Sequence, residues 1–378
     1  MTLKLCVFPT DPIIEYFKKG EIKDRYFNPL DLFDEIHIIS LCKKDIEESK
    51  VQMLAGTAKL KIYSVGNISN RNRQKELEKI LKLVNSINPQ AIRTYNSLLP
   101  GWFAASCSKK LSIPLFVSLH TQYDYLRKLT KKRNLKKYLG LRFSARFIEP
   151  FVIKNANKIT IVYDIIEPYV TKYTRLKPEI LPNKIDCKQF SEGNIIKSLQ
   201  KPLIISVGRL IEPKNHQCLI KSIKEIDAKL IIIGDGHLYS ELMELIKSQD
   251  LEKKVLIKKS VSNHKIQDYY KSATLFALAY DTELEGTPIP VLEAMASGLP
   301  IIISRPKNKK CMNLKDVVMY TERNPESFVK TIKKVLNDDQ LQKHLSLRSL
   351  NKSKEFDYEV IEKREAKMYQ ELIQNHKS

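Results

Sequence analysis

Two acids and two cations carry the chemistry that this sequence spells out. In the run ELEGTPIPVLEAMASGLP, Glu285 and Glu293 stand with seven residues between them, on either side of a Thr-Pro-Ile-Pro turn. Upstream, SVGRLIEPKN sets Gly208, Arg209 and Lys214 directly after an apolar run. Arginine offers a planar fork that matches two phosphate oxygens, and lysine a mobile point charge, so the pair suits a diphosphate. A bare carboxylate beside that anion would be repelled, so the two glutamates make sense only opposite neutral donors. The hydroxyls of a sugar and a ribose are such donors, each accepted in a charge-assisted hydrogen bond of ~1.5–3 kcal/mol.

These residues need a scaffold that brings strand ends and helix starts together. Pro288 and Pro290 lack N–H groups and preset φ, which suits the first turn of a helix. That turn puts Glu293 about one turn in and Glu285 in the loop before it, with Gly298 closing a short helix. The remaining free N–H groups of that turn add donors for an anion. A second turn, Gly234-Asp235-Gly236, brings backbone close to a ligand, yet its spacing is not G-x-G-x-x-G and gives no support for a dinucleotide.

Short β-rich runs alternate with helical patterns from end to end, the signature of parallel, doubly wound α/β sheets. The first half predicts strands at Lys4–Pro9, Glu35–Ser40, Lys59–Val65, Ala91–Tyr95, Leu115–Leu119 and Lys158–Val162. The second predicts Leu203–Val207, Lys229–Ile233, Lys254–Lys258, Leu275–Ala279 and Pro300–Ser304. Helices are expected at Arg73–Ile87, Asn215–Ile226, Leu238–Lys247 and His264–Ser272, with two more in the tail around Phe356–Tyr358. With 378 residues, of which 43% are apolar, two domains are the expectation. The divisions are 1–185, 186–355 and a C-terminal helix, 356–378, that returns to the first domain. The polar run from Asn183 to about Lys201 reads as the connection, and two facing sheets would leave a cleft.

The formal net charge is +22, which points to an anionic partner without naming it. The excess is densest from Leu126 to Lys158, with eleven Lys or Arg and a single acid, Glu149. Leu135, Leu139, Phe143 and Phe147 recur every four residues within it, so an amphipathic basic helix facing either core or an anionic membrane is expected. Six scattered cysteines with no C-x-x-C pair read as reduced thiols. No run approaches the length of a membrane span, and the chain reads as soluble and cytosolic.

Taken in order, IPLFVSLH (Ile113 to His120), ILPNKID with Phe190, SVGRLIEPKN and the E-x7-E pair followed by AMASGLP resemble the retaining GT-B glycosyltransferases of the glycosyl transferases group 1, family 4 type. The resemblance implies a GT-B fold, two Rossmann-like doubly wound domains with a cleft between them. It implies that Arg209 and Lys214 hold the donor's diphosphate, that Glu293 takes the ribose hydroxyls and Glu285 the transferred sugar. The amides around Gly286, Thr287 and Ile289 would approach sugar and phosphate, Gly208 would give the tight strand exit, and backbone near Val261–Asn263 would meet the base. His120 would line the cleft beside the reacting sugar. It further implies a metal-independent hexosyl transfer with retained configuration, from a UDP-, GDP- or ADP-sugar as co-substrate to a glycan or polyprenyl-linked acceptor, with no cofactor. Such a chain would work in cell-surface polysaccharide synthesis, in the cytoplasm or at the inner face of the membrane. The chain departs from the family in two places. The first loop has only Lys19-Gly20 where the family carries a Gly-Gly pair, and the stretch after IIISRP lacks the usual glycines, so the donor rim there is expected to be built differently. A sugar-nucleotide epimerase of the same fold and a basic nucleic-acid-binding protein are the alternatives; no finger, helix-turn-helix or aromatic RNP-like run supports the latter, and no nucleic-acid partner is expected.

Overall fold

The computed structural model describes residues 2–131, 134–307 and 314–377. It divides into two compact units, Met1–Pro182 with Ile361–Ser378, and Asn183–Val360. The rim expected after Pro306 falls mostly in 308–313, outside the described residues, as do Lys132 and Arg133 of the basic stretch and Cys311.

Unit 1 is a seven-stranded parallel sheet in the order β3-β2-β1-β4-β5-β6-β7. The strands are β1 Lys4–Phe8, β2 Glu35–Ser40, β3 Lys59–Ser64, β4 Ala91–Thr94, β5 Leu115–Leu119, β6 Lys158–Ile161 and β7 Glu179–Ile180. Both faces are covered, as a parallel sheet requires. The helix Arg73–Ile87 buries Leu77, Ile80, Leu81, Val84 and Ile87 at helical spacing, together with Cys6, Phe8 and Ile39 of the strands. On the other face Leu5, Val7, Ile36 and Ile38 pack with Ile361, Met368, Tyr369, Leu372 and Ile373, all from the last helix, Tyr358–Lys377.

Unit 2 is a six-stranded parallel sheet in the order β10-β9-β8-β11-β12-β13. Its strands are β8 Leu203–Val207, β9 Lys229–Ile233, β10 Val255–Lys258, β11 Leu275–Leu278, β12 Ile301–Ser304 and β13 Met319–Thr321. Unbroken runs such as LIISV and KLIII are what a strand buried on both sides needs. Leu203, Ile205 and Val207 join one apolar layer and Ile204 the other.

The longer elements lie within two residues of their sequence-based expectations at most ends, whereas β7 and β13, two and three residues long, carry too little pattern to be foreseen. The polar run from Asn183 is no free linker. Ile185 and Phe190 are buried, and the Asp186 side chain caps the helix Cys187–Ser191 by accepting from the Gln189 amide. The Ile185 amide donates to Phe356 and the Tyr358 amide to Ile185, at 3.0 and 2.8 Å, so both chain passages pair inside unit 2. This pairing is why the units part at 182/183 and 360/361 instead of at 185/186 and 355/356.

Candidate active site

In an open parallel sheet, ligands gather beyond the carboxyl ends of the strands, where the strand order reverses. In unit 2 that reversal lies between the neighbours β8 and β11. The loop leaving β8 carries Gly208, Arg209 and the short turn Glu212–Lys214; the loop leaving β11 carries Glu285 and Gly286 into the helix Ile289–Ala296. Parallel pairing alone therefore brings the two motifs side by side although they are 71 residues apart.

The contact they make is an ion pair. Lys214 Nζ donates to Glu285 Oε2 at 2.6 Å, with the Lys214 side chain 6% and that of Glu285 21% exposed. The ammonium also lies 5.8 Å from the Tyr280 ring centroid. The sequence assigned cations to phosphate and acids to hydroxyls as separate tasks; instead a cation and an acid from the two motifs hold each other. An ammonium has three protons and a carboxylate two oxygens, so this bond occupies one donor and one acceptor site. Arg209 is exposed, and its guanidinium makes no ion pair among the described residues. Glu293, one turn into its helix and partly buried, accepts from the Tyr270 hydroxyl at 2.7 Å. Burial first, and the Glu293 charge next, push the Tyr270 pKa far up, so the phenol stays a donor and one Glu293 oxygen is fixed. The two glutamates are thus held by different partners.

Backbone packing sets the β8 exit. A Cβ on Gly234 would come 2.0 Å from the Gly208 carbonyl oxygen, and one on Gly236 2.4 Å from that of Leu210. The Gly-Asp-Gly turn is glycine-rich because it lies directly on the loop that bears Arg209. His216 fixes the same loop, its ring nitrogens 3.3 Å from Ser206 Oγ and 3.2 Å from the Gly208 carbonyl. Burial first pushes its imidazole pKa down, to about 4, leaving a neutral ring at pH 7. Tyr280 donates to the Gly286 carbonyl. Thr287 is buried, Ile289 opens the helix, and Val261 is partly buried against the apolar layer that holds Val291 and Leu292.

His120 belongs to unit 1, one residue past β5, and reaches solvent. Its ring centroid lies 5.8 Å from that of Tyr95; surrounding protein first, then the Arg93 charge, push its pKa below the ordinary value. Lys19 is paired with Asp11 at 3.3 Å on the surface. The basic stretch forms three helices, Tyr123–Lys131, Leu135–Phe147 and Glu149–Lys154. Leu135, Leu139, Phe143 and Phe147 are 66, 56, 37 and 53% exposed, so this apolar row does not face the core. Beside it is a groove of about 780 Å³ whose cations are Arg127, Lys128, Lys131, Arg142 and Arg146. Sequence reading missed Tyr270 and Arg323, the latter following β13; neither stands in a motif, and only pairing in space gives them partners.

Residues 188–351 match the family described as "Glycosyl transferases group 1". An alpha-monoglucosyldiacylglycerol synthase of Streptococcus pneumoniae is 25% identical over 246 residues, covering 59% of this chain and 54% of the relative. A 4-alpha-N-acetylgalactosaminyltransferase of Campylobacter jejuni, named for a diphospho-undecaprenol acceptor, is 31% identical over 187 residues, covering 48% and 50%. The chain thus spans about half the length of these two curated relatives. The crystal structure of Anabaena HepE in complex with UDP-glucose superposes with a TM-score of 0.72 at 15% identity, covering 98% of this chain and 100% of that one. That likeness is one of fold, the GT-B architecture of two Rossmann-like parallel-sheet domains. The signature loops that emerge side by side from β8 and β11 lie within residues 188–351, the part of the second unit that matches the glycosyl transferases group 1 family.

Proposed function

We propose that the protein is a retaining, metal-independent glycosyltransferase that moves a hexosyl unit from a UDP-, GDP- or ADP-sugar to a glycan or polyprenyl-linked acceptor in cell-surface polysaccharide synthesis. The observation that carries this reading is the meeting of Lys214 and Glu285 at 2.6 Å beside an exposed Arg209, at the strand-order reversal of a domain that matches the family. Lys214 has two further protons for a diphosphate oxygen, and Glu285 keeps its second oxygen for a sugar hydroxyl. Their pairing also removes the repulsion that a bare carboxylate would exert on phosphate. Arg209 neutralises the charge that grows on the leaving diphosphate. Glu293, oriented by Tyr270, accepts from the ribose hydroxyls. In the transfer, the bond from the anomeric carbon to the diphosphate oxygen breaks while the acceptor oxygen bonds to that carbon on the same face. The acceptor proton passes to the departing phosphate. The Arg209 charge supplies the neutralisation for which other enzymes use a metal, Lys214 adds N–H donors, and His120 is assigned to the sugar only by the family resemblance.

Replacing Arg209 by alanine should lower transfer about 10²–10³-fold, as for loss of one preorganised donor to a developing anion. The assay is release of nucleoside diphosphate from a panel of UDP-, GDP- and ADP-sugars with polyprenyl diphosphate-linked sugar acceptors. Wild-type rates in the variant would remove the role, and steady conversion of the nucleotide sugar without any acceptor would mark an epimerase instead.

We place the reaction at the cytosolic membrane face. The support is the exposed row Leu135, Leu139, Phe143 and Phe147 next to a groove that bears Lys128, Lys131, Arg142 and Arg146, with Arg127 there already paired to Glu149 and Asp124, a combination that suits anionic lipid. No helix among the described residues is long and apolar enough to cross a membrane. Sedimentation with vesicles containing anionic phospholipid should carry the protein down at low salt, and less so at high salt; no binding at low salt would sink this placement.

A further inference from the structure

We infer that Arg323 is the positioning residue of this site: it clamps the β8 and β11 loops together and so sets the Lys214–Glu285 geometry. The inference rests on the functional reading of that pair.

Arg323 lies two residues past β13, outside every motif. Its guanidinium reaches both loops at once. Nε donates to the Ala279 carbonyl at 2.8 Å, just beyond β11. Nη2 donates to the carbonyls of Glu212 and Pro213 at 3.0 and 3.1 Å, the two residues before Lys214. Nη1 lies 3.7 Å from Asp281 Oδ2. The acceptors are therefore the roots of the two catalytic loops. Pro213 also accepts from the Asp281 amide at 2.7 Å, and the Asp281 carbonyl accepts from the Glu285 amide at 3.3 Å. A continuous path runs from Arg323 through Pro213 to Lys214 and through Asp281 to Glu285.

The chemistry of the clamp demands arginine. Three carbonyls on two loops need a rigid, planar set of donors spread over the width of a guanidinium, and a lysine ammonium cannot span them. The Arg323 side chain is 35% exposed, so water can satisfy the carbonyls when it is removed. Its loss should thus cost little stability but much positional precision, and displacement of a catalytic group by about 1 Å is enough to lower a rate by ~10²-fold.

The test compares Arg323→Ala, Arg323→Lys, Lys214→Ala and the double variant Lys214→Ala/Arg323→Ala. Both single changes at 323 should lower kcat/KM for the nucleotide sugar by ~10- to 100-fold with the thermal midpoint nearly unchanged. Added to Lys214→Ala, the Arg323 change should cost clearly less than it does alone, because the part of its effect that runs through that lysine is already gone; losses that multiply in full would overturn the inference. A second readout needs no activity. In the protein without substrate, acylation of Lys214 by acetic anhydride, followed by mass spectrometry, should be several-fold faster in both Arg323 variants than in wild type. Unchanged labelling would overturn the clamp. If wild-type protein transfers no sugar from any nucleotide sugar, the functional reading fails, and the labelling comparison still decides the role of Arg323.

Discussion

Two arginines on similar parallel sheets have opposite fates. Arg93 is the third residue of β4 in unit 1, so its side chain leaves a sheet face and is covered by the last helix. It is 1% exposed, bonded to Glu365 at 2.9 Å and stacked 3.7 Å from the Phe116 ring centroid. Arg209 stands two residues past β8 in unit 2, where the chain has left the sheet, and it is exposed. Unit 1 spends other charges in the same way: Arg127 donates to both oxygens of the buried Glu149, which also accepts from Tyr169. In unit 2 the charges of the site sit at strand ends, with Arg209 exposed and Glu285 partly open. A few residues along a strand thus separate a charge that builds the fold from one available to a ligand.

The contrast breaks first at the buried pair. Glu365→Ala strands the Arg93 charge and should cost ~3–5 kcal/mol, while Arg93→Met with Glu365→Leu should recover most of it. The sole tryptophan, Trp102, lies in unit 1, so its fluorescence during urea unfolding reports the unit concerned. An equal loss in the double variant would show that the charges are not the cause. In unit 2 the balance should reverse. Glu285→Gln should reduce transfer by ~10²-fold yet cost less stability than Glu365→Ala, because the glutamine oxygen still accepts from the buried Lys214 ammonium; a stability loss as large as that of Glu365→Ala would erase the distinction.

Finer tests concern the supports of the site. Tyr270→Phe removes the donor to Glu293 and should cost ~1 kcal/mol, read by hydrogen exchange of β8 and β11 amides, with weaker binding of the nucleoside diphosphate. Unchanged affinity would detach Glu293 from nucleotide recognition. His216 sharpens the comparison through pH. Its folded pKa, about 4, lies below the unfolded value of about 6.5. Above pH 6.5 both states hold a neutral ring. Between there and pH 4 only the unfolded chain gains the proton, so stability present at neutral pH is lost on acidification, by ~1.4 kcal/mol per pH unit. Exchange of β8 amides at pH 5 and 7 should show this slope in wild type and a flatter one in His216→Gln.

Much of the fold was legible because unbroken β-branched runs such as KLIII and LIISV fit no site except a sheet covered on both faces. The same reading singled out Arg209, Lys214, Glu285 and Glu293 as candidates, since residue type and nearness to a strand end are local properties. β13 was not legible, because Met319–Thr321 is too short to carry a period, and Arg323 went unseen with it. Nor was it legible that Lys214 would spend one proton on Glu285, or that Glu293 would be held by Tyr270. The sequence alone determined which charges this protein owns and on which loops they ride. Which of them neutralise each other was decided by tertiary structure, because an ion pair depends on distance in space, and the strand order β8-β11 brings together residues that the chain keeps 71 positions apart.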